Sequence, residues 1–258
     1  MFKLIAQEFV SQYSFLNLFN FITFRVGASI LTSLFFSLIF GQFIINKLSL
    51  VQPEGQPIRK DGPETHIIQK AGTPTMGGVL IILSVLISSI LWSDLHNNFL
   101  WIGLISLLIF GIIGFVDDFK KIKSNSSSGL KGTTRIVLQL FFALIISLVI
   151  LYILDDKIDT SIAFPFFKNL IINFGYFYLV ISLFIIVGSA NAVNLTDGLD
   201  GLAIVPVMIV AMTFAFIAYV TGNIIFSDYL LINYIAGTGE LSVLCGALIG
   251  SSLGFLWF

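Results

Sequence analysis

Seven long apolar runs, separated by short polar stretches, decide what this chain can fold into. They lie at roughly 23 to 45, 76 to 92, 99 to 116, 134 to 154, 171 to 189, 202 to 221 and 241 to 258, each near the ~20 residues a helix needs to cross a bilayer. Hydrocarbon offers the backbone no water, so a spanning segment must pair its own N–H and C=O groups as a helix or close into a barrel. A barrel would alternate apolar and polar residues over ten-residue segments, and these runs do not. Composition agrees, with 57% hydrophobic residues, 10% charged residues and 27 Phe and a mean hydropathy of +1.01, far above a soluble domain. The reading is an all-α polytopic transmembrane helix bundle, a single integral membrane domain over residues 1 to 258.

If the spans alternate, one set of loops is about 46 to 75, 117 to 133 and 190 to 201. With Arg135 just inside a helix, that side holds nine basic residues, against Lys3, Arg25, Lys157 and Lys168 on the other. The bias places the three loops in the cytoplasm and the N-terminus outside. The N-terminus lacks the basic, apolar, small-residue order of a cleavable signal peptide. Cys245 is the only cysteine, which excludes a disulfide within the chain and a thiol-clustered metal and leaves a small packing residue. A net charge of −1 suggests no nucleic-acid partner. The seventh run stops at Trp257-Phe258 with no flanking charge, as in a chain incomplete at its C-terminus.

Three polar runs of unusual composition fall on the cytoplasmic side and can form one site. The first is Asn191-Ala-Val-Asn194-Leu-Thr196-Asp197-Gly198-Leu199-Asp200-Gly201. Its Asn and Asp recur at every third residue, so on a helix they form one strip. Ionisable groups at the edge of hydrocarbon are costly without partners, which makes a functional site the default reading. Capping of the sixth span is the plain alternative, but two Asn and two Asp exceed what one cap needs.

The second run is Asp117-Asp118-Phe-Lys120-Lys121-Ile-Lys123. Adjacent carboxylates at a helix C-terminus oppose its dipole and repel one another unless a cation is supplied. Mg²⁺, which favours one or two carboxylates plus phosphate oxygens, would supply it. A solvated loop in which the lysines pair with the aspartates explains the run equally well. Lys121 stands where the diphosphate motif of prenyl synthases would require a carboxylate. The third run, Lys70-Ala-Gly72-Thr73-Pro74-Thr75-Met76-Gly77-Gly78, offers backbone N–H groups, hydroxyls and a lysine to a phosphate. Taken alone it reads better as a loop and helix start with small residues for close packing. His66 and His96 are isolated loop residues and make no multi-histidine zinc site.

Together and in this order, the three runs closely resemble the polyprenyl-phosphate N-acetylhexosamine-1-phosphate transferase superfamily of glycosyltransferase 4 type. The first and third look like signatures of its phospho-N-acetylmuramoyl-pentapeptide transferase branch. The resemblance covers about residue 20 to the end. It implies transfer of phospho-MurNAc-pentapeptide from UDP-MurNAc-pentapeptide to undecaprenyl phosphate in the bilayer, with Mg²⁺, giving lipid I and UMP at the inner face of the bacterial cytoplasmic membrane. Under it, Asp117 and Asp118 match the family's aspartate pair, one to deprotonate or orient the lipid phosphate and both near the metal. Lys70, Thr75, Asn194, Asp197 and Asp200 match positions lining the nucleotide-sugar site, with Gly198 and Leu199 beside the uracil. Lys121 and Lys131 match basic positions that hold phosphate.

The same resemblance implies ten spans, a third aspartate that is the main metal ligand shortly beyond Phe258, and a later histidine run. It therefore implies that residues 1 to 258 alone lack transferase activity, and that later helices cover the small-residue face at Gly246, Gly250 and Gly254. A homodimer is compatible with the sequence. Two other functions compete. A sibling moving GlcNAc-1-phosphate is disfavoured by Ala71 to Met76 and Ala192 to Ala203. A cation-coupled transporter would need ionisable groups near mid-bilayer, whereas these gather at one face.

Overall fold

The computed structural model describes residues 1–52, 75–124, 129–153, 160–163, 170–196 and 202–258. Among them are nine α-helices: α1 (Phe2–Phe9), α2 (Ile22–Val51), α3 (Gly78–Trp92), α4 (Asn98–Lys123), α5 (Gly132–Ile153), α6 (Phe177–Thr196), α7 (Ile204–Thr221), α8 (Ile224–Leu230) and α9 (Gly239–Phe255). Seven of them fall on the seven apolar runs. Of these, α2, α4, α5, α6 and α7 are long and apolar enough to cross a bilayer, with mean hydropathy between 1.9 and 2.9. The other two, α3 and α9, are shorter at 15 and 17 residues. The chain is an all-α, multi-pass membrane protein.

The core is a seam between α2 and α9, with α3, α4 and α7 packed around α9. On α2 the buried positions are Arg25, Ser29, Ser33, Ser37 and Gly41, a four-residue spacing that makes one ridge of small residues. It meets Gly246, Gly250 and Gly254 of α9, where a Cβ on Gly250 would strike the carbonyl oxygen of Ile30 and Oγ of Ser33. Without a hydrophobic drive between helices in lipid, such close backbone approach and hydroxyl bonding hold a pair together. Ser29 Oγ donates to Val243 O at 3.0 Å, Ser88 Oγ donates to Ser29 O at 2.8 Å, and Ser37 and Ser84 hydroxyls share a 2.8 Å bond. The glycine face of the seventh run is thus covered by the first long helix rather than left for later ones. Periodicity alone cannot say which partner a small-residue face finds.

At the end of the seam away from the polar runs, Arg25 and Glu240 form a bidentate pair at 2.6 and 2.7 Å, with Arg25 1% and Glu240 5% exposed. Arg25 also donates to Trp92 O at 3.3 Å, and Glu240 accepts the N–H of Asp94 at 2.9 Å. Lys3 of α1 bonds Asp94 and stands 3.9 Å from Glu240. The ring of Trp92 stacks on Phe19 at 5.8 Å and touches Phe2 and Phe24. So α1 and the 3-10 turn Ser14–Asn20, which no apolar run announces, are stapled to the mouth of α2, α3 and α9.

Four helix boundaries differ from the sequence reading. Helix α2 continues to Val51 and α4 to Lys123, so the polar loops start later than 46 and 117. Lys120, Lys121 and Lys123 fill the last turn of α4, where cations suit the helix dipole, and the aspartates sit one turn further in. The fifth run does not begin a helix at 171. Ile171–Asn173 pairs antiparallel with Ser161–Ala163 as a short hairpin, and Gly175, at φ +50°, turns the chain into α6. Finally, Asn191 and Asn194 lie within the last turns of α6 rather than in a loop.

Candidate active site

The C-terminal end of α4, the start of α5, the approach to α3 and the end of α6 gather the polar residues of interest. Asp117 is 7% exposed, because Gly129 lies against its carboxylate. One of its oxygens, Oδ1, accepts the N–H of Leu130 at 2.7 Å, and Oδ2 meets Lys121 Nζ at 2.8 Å. The same ammonium reaches Asp118 Oδ1 at 2.9 Å, and the other oxygen of Asp118 accepts from Thr75 Oγ1 at 3.0 Å. These spacings follow from the helix. Residues three and four apart share a face, so Lys121 falls between the two carboxylates of the preceding turn.

Thr75 is itself fixed. Its N–H donates to Gln52 Oε1 at 2.9 Å, and its carbonyl accepts from Gln52 Nε2 at 3.4 Å. The residue after it, Met76, is buried with φ +72°, a left-handed conformation rare for a non-glycine residue.

Helices α5 and α6 are joined by a polar ladder. Arg135 donates to Asn194 Oδ1 at 3.1 Å, Asn191 Nδ2 donates to Gln139 Oε1 at 2.7 Å, and Ser182 donates to Ser147 Oγ at 2.8 Å. The charge of Arg135 also acts on Asp117, and its buried Nε finds no partner among the described residues. Lys131 is exposed at the mouth of α5.

Of the residues singled out from the sequence, Thr75, Asp117, Asp118 and Lys121 are brought into one hydrogen-bonded cluster. Asn194 bonds Arg135, whose charge acts on Asp117 without a hydrogen bond to the cluster, and Lys131 lies beside Leu130 without an ion-pair partner among the described residues. Lys70, Asp197, Gly198, Leu199 and Asp200 lie outside the described residues. Asn191 is spent on Gln139 and the α6 backbone, which makes it a packing contact rather than part of a strip facing a ligand. Gln52, Arg135 and the Leu130 N–H were missed. The first two carried a signal, a polar residue at the border between a polar stretch and an apolar helix; the third, a main-chain group, carried none.

The donor set suits a small hard cation. Asp117 and Asp118 supply four carboxylate oxygens, each with a lone pair beyond the one its protein donor takes, and Mg²⁺ binds through one or two carboxylates with phosphate completing the shell. Lys121 occupies the space between them, and no group of three or more His, Cys, Asp or Glu side chains forms among the described residues. An apolar groove of about 530 Å³ runs between α7 and α9, with Val193 and Thr196 at one end and Thr238 at the other. It contacts neither aspartate.

Comparison with known proteins bears on the same residues. Residues 100–258 match the family model for glycosyl transferase family 4, and residues 70–82 match phospho-N-acetylmuramoyl-pentapeptide-transferase signature 1. A phospho-N-acetylmuramoyl-pentapeptide-transferase of Pelagibacter ubique is 52% identical over all 258 residues, which cover 71% of its length. One of Rickettsia felis is 52% identical over 242 residues, 94% of this chain and 66% of that protein. The chain belongs to glycosyl transferase family 4 and, within it, to the phospho-N-acetylmuramoyl-pentapeptide-transferases.

Proposed function

We propose that the protein carrying this chain transfers phospho-MurNAc-pentapeptide from UDP-MurNAc-pentapeptide to undecaprenyl phosphate at the cytoplasmic face of the membrane. An oxygen of the lipid phosphate attacks the sugar-bearing phosphorus, the diphosphate bond breaks, and UMP leaves with the electron pair, giving lipid I. The observation that carries this reading is the carboxylate pair, buried Asp117 and half-buried Asp118, bridged by Lys121 and bonded to Thr75, at one end of the bundle, beside the matched signature.

The residues divide the work by charge. Asp117 and Asp118 receive or orient the lipid phosphate's proton and would hold Mg²⁺. When bound, that ion supplies charge neutralisation to the phosphates. Lys121, Lys131 and Arg135 hold phosphate oxygens, Arg135 while oriented by Asn194. Lys70, Asp197, Gly198, Leu199 and Asp200 take the nucleotide-sugar, and residues 1 to 258 act as one membrane domain.

The test is UMP release by full-length protein containing this sequence, with UDP-MurNAc-pentapeptide, undecaprenyl phosphate and Mg²⁺. Asp117→Asn is expected to lower turnover at least ~100-fold, the scale of a lost acid–base or electrostatic group, and chelation of divalent metal to abolish it. Near-normal turnover by a folded Asp117→Asn protein would remove the pair from the mechanism.

A further inference from the structure

Gln52 lies outside every polar run and touches neither aspartate. It is 3% exposed and ends α2, its own N–H bonding back to Leu48 O and Ser49 O. Its side-chain amide pairs with both main-chain polar groups of Thr75, 23 residues away, much as a neighbouring strand would. The backbone it holds is an unusual one. Met76 follows immediately at φ +72°, and such a conformation persists only where the surroundings over-determine it. Beyond the strained turn, Thr75 Oγ1 donates to Asp118 Oδ2 at 3.0 Å. Removing the amide would free the Thr75 backbone to relax and release that hydroxyl.

Resting on the transferase reading above, we propose that Gln52 is a positioning residue: it locks the Thr75 backbone so that Thr75 Oγ1 holds Asp118 in its working orientation. The path is Gln52 to Thr75 to Asp118, and Lys121 then sets Asp118 relative to Asp117. Filling the end of α2 would be a different role, and the two separate experimentally. A filler acts on stability whatever residue stands at 75. A positioning group acts on turnover through the Thr75 hydroxyl and loses its effect when that hydroxyl is gone.

The experiment measures kcat and KM for UMP release in full-length protein with no change, Gln52→Leu, Thr75→Val and both. Gln52→Leu is expected to lower kcat roughly tenfold to hundredfold, as misplacement of a reacting group by up to about 1 Å does, while KM for the UDP-sugar changes far less. The double variant should be no slower than the slower single one. Gln52→Glu keeps the oxygen that takes the Thr75 N–H, and its second oxygen, protonated at so buried a position, donates to the Thr75 carbonyl in place of the amide, so kcat within about threefold of the unmutated protein is expected even if the leucine variant fails to fold. Multiplicative losses in the double variant, an unchanged kcat in Gln52→Leu, or a Glu variant that folds but is as slow as the leucine one would each overturn the proposal. An active unmutated protein beside an unaffected Gln52→Leu leaves the transferase reading standing, whereas an inactive unmutated protein sinks both.

Discussion

The buried pair Arg25 and Glu240 gives a sharp quantitative test of how this bundle is held. Breaking such a pair from one side costs about 3–5 kcal/mol, because the remaining charge stays buried. The geometry ranks the two sides. Without Arg25, Glu240 keeps the Asp94 N–H at 2.9 Å and Lys3 at 3.9 Å, so Arg25→Leu belongs near the lower limit. Without Glu240, Arg25 keeps only Trp92 O at 3.3 Å and an Nε with no partner among the described residues, so Glu240→Leu belongs near the upper one. Replacing both removes the charges together and leaves mainly the Asp94 N–H unpaired, about 1–2 kcal/mol. Unfolding in mixed micelles by a denaturing detergent, followed by loss of helical circular dichroism, measures all three. The double variant is expected to be more stable than either single one. Single losses under about 1 kcal/mol, or a double variant carrying the full sum, would refute the claim that the pair is desolvated and mutually dependent.

Three further outcomes are expected. Gly250→Ala forces a methyl against Ile30 O and Ser33 Oγ and should destabilise by about 1–3 kcal/mol, whereas Gly27→Ala, with nothing within 4 Å of the new atom, should not; the same detergent titration compares them. For Asp94, burial opposes ionisation, but the Lys3 hydrogen bond, the His96 N–H and the Lys3 charge outweigh it and hold the carboxyl below its ordinary value. The stabilisation is therefore complete above about pH 4 and lost as pH falls further, and Asp94→Asn should flatten the stability curve only in that acid range. On a Cys245→Ala background, an impermeant external thiol reagent should label cysteine at position 96 and spare position 131; the reverse pattern would invert the topology.

The spans were legible because hydrocarbon thickness sets a run length that needs no knowledge of partners. Helix ends were not, since Lys120 to Lys123 and Asn191 to Thr196 are polar yet continue the helix, their side chains suiting the dipole or a neighbouring helix. The hairpin was invisible because strands of three residues carry no usable alternation. In the site, Asp117, Asp118 and Lys121 could be grouped from helical spacing alone, whereas composition and loop position offered Thr75 only as a phosphate contact on the same side and the resemblance placed it at the nucleotide-sugar site. What brings Leu130 to Asp117 and Gln52 to Thr75 is a bond from a side chain to the main chain of a residue 13 or 23 positions away, and side-chain to backbone pairing leaves no periodic trace in a sequence. The small-residue face of α9 was visible, but its partner was not, because a glycine stripe states how closely a helix will come and not which one.

The seam between α2 and α9 also carries a timetable. Arg25 and Glu240 stand 215 residues apart in the chain, and at roughly 5–20 residues per second the ribosome needs about 10–40 s to make what lies between. Throughout that interval the serine ridge of α2 has no glycine face to meet and Arg25 has no carboxylate. The first long helix must wait at the insertion site or in lipid with its charge held at a membrane interface, and the fold closes only when a helix made much later slides in beside it.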